Sequence, residues 1–228
     1  MESSTYVLVH GAWGGPWCWR DVTAELDRRG LAWRSADLPS CQRDGDPYAD
    51  LDQDAAVVAE LCEGLDSVVL VAHSYGGAVA TQAAHLIGEL ARVIYVAAIV
   101  PELGESATDV ARLIDVRTDL DRAMRLEGPV LYLDAELAGS ALYGDCEAAT
   151  RDWAVSQLST QTLASFRSPR TGSVVPAPTL YVACLQDRAI DPSLQDILAA
   201  RCNARVDLES GHSPFFSHPT QLVDVLTQ

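Results

Sequence analysis

The chain is poor in positive charge and has no apolar run long enough to cross a bilayer. Lysine and arginine together number 16, against 32 aspartates and glutamates, giving a formal net charge of −16 over 228 residues. A surface of that sign repels phosphate backbones, which argues against nucleic acid as a partner. High acidity is also a common solubility device and does not by itself call for a cationic substrate. No hydrophobic stretch reaches the roughly 18 residues of a membrane-spanning helix. The opening Met1-Glu2-Ser3-Ser4-Thr5 has neither a basic n-region nor a cleavage site. The expectation is a cytoplasmic protein without a membrane partner. Cys18, Cys41, Cys62, Cys146, Cys184 and Cys202 form no CxxC pair and none lies at ligand spacing from a histidine. No metal or organic cofactor is expected, and the thiols read as reduced, several of them inside apolar elements. Internal repeats and low-complexity tracts are absent.

What is present is alternation. Short apolar runs at Thr5–His10, Ala32–Leu38, Ser67–His73, Arg92–Val100, Thr179–Ala183 and Ala204–Leu208 read as strands. Helical patterns stand between them at Trp17–Arg29, from about Leu51 to Gly64, at Tyr75 to about Gly88, and at Pro219–Leu226. Strand and helix in turn predict a parallel sheet with helices on both faces. From Glu102 to Ser173 the alternation stops. That stretch is amphipathic and helical in pattern, without a strong strand signal, and too long for a loop. The expected organisation is one α/β core, residues 1–101 and 174–228, with a helical cap, residues 102–173, inserted in it.

The chemistry is concentrated at Ala72-His73-Ser74-Tyr75-Gly76-Gly77. An unbroken apolar run ends there, and a helical pattern rich in alanine begins. A serine at a sharp strand-to-helix turn needs small residues two places away on each side. Gly76 meets that on one side, and Ala72 stands on the other, where glycine is commoner. A serine nucleophile needs a base, and the base an orienting carboxylate. Among the histidines, His10 ends a strand, His73 points away from the serine's direction, His85 lies within a helix and His218 opens the last one. His212, in Ser210-Gly211-His212-Ser213-Pro214-Phe215, follows the last strand and is the candidate base. Asp187, after the strand at Thr179–Ala183, is the candidate acid. Asp191 reads as a helix N-cap, and Glu102 is the weaker rival. The order Ser, Asp, His suits this architecture. Backbone N–H groups of Ala12, in the loop after the first strand, and of Tyr75 are the candidate oxyanion donors, with Gly11 allowing close approach of that loop. Trp13, Met124, Leu126, Tyr143 and Trp153 are candidate pocket-wall residues.

These motifs, with His10-Gly11-Ala12, Gly14, Trp17, Trp19 and Gly211-His212-Ser213-Pro214-Phe215, resemble the α/β-hydrolase superfamily along the whole chain. Within it the resemblance is to the cofactor-free branch that holds methyl esterases, hydroxynitrile lyases and small bacterial esterases. It implies the α/β-hydrolase fold with a mostly parallel six-stranded sheet, a Ser74–His212–Asp187 triad, two backbone donors and a helical cap. Lyases of that branch carry a threonine at the position of Gly11 and a lysine at that of Ser213, so the resemblance favours cleavage of an ester or thioester. Two rivals stand beside that reading. One is the same triad releasing, cyclising or rearranging a biosynthetic intermediate, and the other is a receptor using the pocket only for binding. A small-molecule partner and possible homodimerisation complete the expectations.

Overall fold

The computed structural model describes residues 4–228, and the leaderless reading of Met1–Ser3 lies outside them. In chain order the strands are β1 (Thr5–Val9), β2 (Trp33–Ser35), β3 (Val68–His73), β4 (Leu90–Val96), β5 (Met124–Glu127), β6 (Val130–Leu133), β7 (Gln161–Thr162), β8 (Thr179–Cys184) and β9 (Ala204–Leu208). The helices are α1 (Arg20–Arg28), α2 (Leu51–Cys62), α3 (Gly76–Ala83), α4 (Ala107–Ala111), α5 (Asp119–Ala123), α6 (Ala135–Tyr143), α7 (Ala148–Gln157), α8 (Leu163–Arg167), α9 (Pro192–Ala199), α10 (Pro214–Ser217) and α11 (Pro219–Leu226).

Six strands form one sheet in the order β2-β1-β3-β4-β8-β9, parallel throughout. Because side chains alternate across a strand, β3 feeds two cores at once. Val68, Leu70 and Ala72 face the cluster shared with α2, α3 and α9, whereas Val69 and Val71 face the cluster shared with α1, α10 and α11. All six residues of β3 are buried. A central strand covered on both faces can be apolar at every position, and the serine follows it directly.

Two expectations change. The second strand was expected over Ala32–Leu38 but spans Trp33–Ser35, a half-exposed edge strand paired to β1 alone. With one partner and solvent beside it, there is little burial to extend it. The segment between β4 and β8 is not purely helical. It holds a three-stranded antiparallel sheet in the order β5-β6-β7. Glu127 pairs with Val130 around Gly128–Pro129, where Gly128 takes a left-handed φ of 56°. That two-residue turn closes a hairpin whose strands, four residues each, are too short to stand out as a strand pattern. Among the described residues no helix is long and apolar enough to cross a membrane.

Candidate active site

Ser74 follows β3 at φ 53°, in the left-handed region that non-glycine residues rarely adopt. The turn is held by its neighbours rather than by its own preference. Ser74 N–H donates to the Val96 carbonyl of β4 (3.2 Å), and the Ser74 carbonyl accepts from Ile99 (2.9 Å) and Gly77 (3.0 Å). Strain of this kind persists where surrounding structure over-determines it, and such places are commonly functional. Gly76 lies so close to β1 that a Cβ would sit 2.5 Å from the His10 carbonyl oxygen and 2.7 Å from that of Val9. A Cβ on Gly11 would sit 2.8 Å from Ser74 Cβ and 2.9 Å from His73 Nδ1. The loop after β1 is thus pressed against the serine, with no room for a side chain at Gly11.

His212, in the loop between β9 and α10, pairs through Nδ1 with Asp187 Oδ2 at 2.8 Å, and both side chains are buried. Asp187 Oδ1 also accepts from the Ala189 (2.7 Å) and Ile190 (3.0 Å) N–H groups, and Gln195 Nε2 donates to its Oδ2 at 3.0 Å. A carboxylate so surrounded is fixed in direction, and His212 Nε2 has no hydrogen-bond partner among the described residues. Asp191 caps α9 by accepting from Ser193 N–H at 2.9 Å. Glu102 is exposed near Arg201. Neither touches His212. Ser74 and His212 line one small cavity with Gly11, Tyr143 and Phe215. No hydrogen bond joins the two side chains among the described residues, and such bonds commonly tighten only around a substrate.

Two supporting residues escape a reading by sequence pattern. Gln195 joins Asp187 to the end of β8, accepting from Cys184 N–H (2.9 Å) and donating to its carbonyl (3.2 Å). His73 points to the α1 face, edge-on to Phe215, and its Nε2 lies 2.8 Å from the His212 carbonyl. Burial, and then the neighbouring His212, pushes the His73 pKa well below the usual histidine range. A neutral His73 can donate that hydrogen bond and hold the His212 backbone. Nothing local in the sequence marks either contact.

The two candidate donors are accessible for chemical reasons. Tyr75 is the N-cap of α3, ahead of the first intrahelical bond. Ala12 is the second residue of a turn closed by Gly14 N–H to the Gly11 carbonyl at 3.3 Å. The third, Trp13, has φ 58°, a conformation usually left to glycine. Trp13 is clamped by the cap, donating from Nε1 to the Leu131 carbonyl (3.1 Å), accepting from Ser159 N–H (2.9 Å) and meeting Phe166 edge-on.

A second cavity, of about 810 Å³, also borders Ser74. Trp13 and Met124 line it, joined by Ile99, Leu120, Phe166 and Ile190. Tyr143 and Gly11 belong to the small cavity instead. Leu126 and Trp153 are in neither wall. Leu126 lies on the edge strand β5 and is 59% exposed. Trp153 packs edge-on against Trp17, with the Arg20 guanidinium 3.9 Å above its ring. Amphipathic pattern alone could not tell which cap face turns to the cavity. Among the described residues no cluster of three or more His, Cys, Asp or Glu could hold a metal.

A model of the alpha/beta hydrolase family matches residues 6–225. The chain is 28% identical to the alpha/beta hydrolase nvfD of Aspergillus novofumigatus, over 99% of this chain and 96% of that one. It is 29% identical to Methylesterase 7 of Arabidopsis thaliana, over 98% and 95% respectively. Its fold superposes on a pyrethroid hydrolase from Sphingobium faniae with a TM-score of 0.87 at 22% identity, covering 99% and 96%. Sheet order, strand-to-helix turn and sequence similarity agree, and the chain belongs to the alpha/beta hydrolase family.

Proposed function

We propose that this hydrolase is a serine esterase that cleaves small-alkyl esters, or the matching thioesters, of bulky apolar carboxylic acids. The observation that carries the reading is the serine at φ 53° bordering two unequal cavities, with His212, paired to Asp187, lining the smaller one. Ser74 Oγ attacks the carbonyl carbon while His212 Nε2 takes its proton. Asp187 keeps the other imidazole nitrogen protonated and steadies the imidazolium. Ala12 and Tyr75 N–H groups receive the oxyanion, in a site where a single such donor is worth about a hundred- to a thousandfold in rate. His212 returns the proton to the leaving oxygen or sulfur, and the acyl group stays on Ser74. Water, deprotonated by His212, then attacks the acyl-enzyme and frees the acid.

The leaving group has to depart beside His212. The cavity that His212 shares with Ser74 is about 20 Å³, room for little more than one water-sized group. The acyl part is left the apolar cavity of about 810 Å³. Similarity to a methylesterase supports the same division.

The test is a series of methyl, ethyl, butyl and benzyl esters of one naphthyl-substituted acid, with fluorophosphonate labelling of the serine. The specificity constant should fall about tenfold or more from methyl to butyl, as expected when added methylenes meet a wall. Ser74→Ala should lose labelling and all but about a thousandth of turnover while keeping its thermal midpoint. A preference for the benzyl ester would reverse the assignment of the two cavities. Turnover unchanged in Ser74→Ala would remove the serine mechanism.

A further inference from the structure

Outside the triad, one buried carboxyl group is tied to both loops that carry the candidate oxyanion donors. Asp54, in the first turn of α2, has no exposed surface. Its Oδ2 accepts from the Tyr75 hydroxyl at 2.8 Å and from Ser40 Oγ at 2.5 Å, and its Oδ1 accepts from Ser40 N–H at 3.0 Å. Ser40 Oγ in turn accepts from Gln161 Nε2 at 2.9 Å, and Gln161 Oε1 accepts from the Trp13 N–H at 3.4 Å. Ser40, Gln161 and Tyr75 are buried as well.

We infer that Asp54 is a positioning residue for the oxyanion site, the common anchor of two hydrogen-bonded arms that end at Tyr75 and at Trp13. The inference rests on the reading of Tyr75 and Ala12 N–H groups as oxyanion donors. Tyr75 supplies one of them, and Trp13 follows the residue that supplies the other. Every donor in both arms points toward the carboxylate, so each bond polarises the next. The arm through Gln161 also reaches the cap. Gln161 lies in β7, donates to Ser165 Oγ at 2.6 Å and accepts from Cys41 Sγ at 2.9 Å. One side chain therefore sets the distance between the turn that follows β1, the turn that follows β3 and the cap strand.

The anchor is costly to keep. Burial, opposed by the bonds from Ser40 and Tyr75 and joined by Asp50 at the head of the same helix, leaves the Asp54 pKa raised to about 6. The other titratable groups facing it are the Cys41 thiol and the Tyr75 phenol, both raised well above their usual ranges by burial and by Asp54 itself. No arginine, lysine or histidine contacts its carboxylate among the described residues. A buried carboxylate without a cation is a poor device for stability, and an apolar residue would hold the helix as well. Its use lies in what it orients. Above its pKa the carboxylate gathers three donors. Below it the acid hydroxyl needs an acceptor, and either Tyr75 or Ser40 must turn its own hydroxyl round.

The experiment compares wild type, Asp54→Asn, Tyr75→Phe and the double variant on the methyl ester, with fluorophosphonate labelling of each. Expected are a fall in kcat of about tenfold in each single variant, KM within about twofold, and no further fall in the double variant. The thermal midpoint of Asp54→Asn at pH 8 should equal or exceed that of wild type, since the variant removes a buried charge. The acid limb of kcat in wild type should be steeper than one protonation allows, and should reduce to a single step in Asp54→Asn. Wild-type kcat in either single variant, multiplicative losses in the double variant, or an unchanged acid limb in Asp54→Asn would overturn the inference. A wild-type protein that is labelled and turns over isolates that failure from the esterase reading. A wild type that neither turns over an ester nor takes the label sinks both.

Discussion

The two sides of the large cavity are built differently. On the sheet side the candidate nucleophile is held by backbone. Ser74 is bonded at N–H and carbonyl to β4 and the loop after it, and Gly76 is seated against β1 with no room for a methyl group. On the cap side the wall is made of side chains from short helices. α4 and α5 are five residues each, and their N-termini are closed by Ser106 and Thr118 hydroxyls. Gly139, in the middle of the cap helix α6, has its nearest neighbours at 3.5 Å, ordinary contact for a Cβ. The turn at the candidate nucleophile is over-determined and tolerates no added atom. The shape of the pocket rests on side chains that can change without disturbing it.

The largest test of that contrast lies at the two aspartates of the loop after β8. Asp187→Asn should lower kcat by about 10⁴, because the amide favours the wrong imidazole tautomer and cannot steady the imidazolium. Asp191→Ala, four residues on, should keep kcat within about twofold and lose about 1 kcal/mol of stability with its cap. Steady-state kinetics and urea unfolding of the pair decide it, and the opposite ranking would move the acid to Asp191.

Two glycines sharpen the comparison at the level of packing. Gly76→Ala should cost about 2–3 kcal/mol, since either β1 or the turn must shift to admit the methyl group. Gly139→Ala should gain about 0.5–1 kcal/mol from helix propensity alone. Equal effects in denaturant titrations would mean that sheet side and cap side are equally rigid.

The smallest expected effect separates two residues of one cap strand. Met124→Ala should raise KM for a naphthyl ester about fivefold, roughly 1 kcal/mol of lost apolar contact. Leu126→Ala, two positions on and largely exposed, should leave KM unchanged. A KM change at Leu126 equal to that at Met124 would place the edge of β5 inside the substrate path.

The elements of the sheet were legible because their physics is local. Runs such as Val68–Ala72 are apolar at every position, and only a strand covered on both faces needs that. Ser74, His212 and Asp187 could be proposed because each follows a strand on the same rim. The hairpin of β5 and β6 escaped notice because Met124-Arg125-Leu126-Glu127 alternates over only four residues, leaving Gly128–Pro129 as its one strong sign. The roles of Gln195, His73 and Asp54 are longer-range still. Asp54 reads as one more acid in the first turn of a helix, and Ser40 and Tyr75 become its partners only when three elements pack together. The cap wall was half legible for the same reason. Trp153 is large and amphipathic, but Trp17 and Arg20 of the sheet side claim its ring.

The order in which the chain is made gives the sheet order a further meaning. Ser74 and both candidate donors lie among the first hundred residues, whereas Asp187 and His212 belong to the loops after β8 and β9. A ribosome adding about ten residues per second needs roughly ten seconds to pass from β4 to His212. During that interval β4 has β3 on one side and a bare edge on the other, where β8 will dock. Such an edge invites pairing with other nascent chains, and it is the point at which a chaperone would be needed. The exposed serine is harmless meanwhile, since a hydroxyl without a base is a weak nucleophile. On the proposed mechanism the newborn chain would stay unreactive until the loop after its last strand brings His212 to the serine.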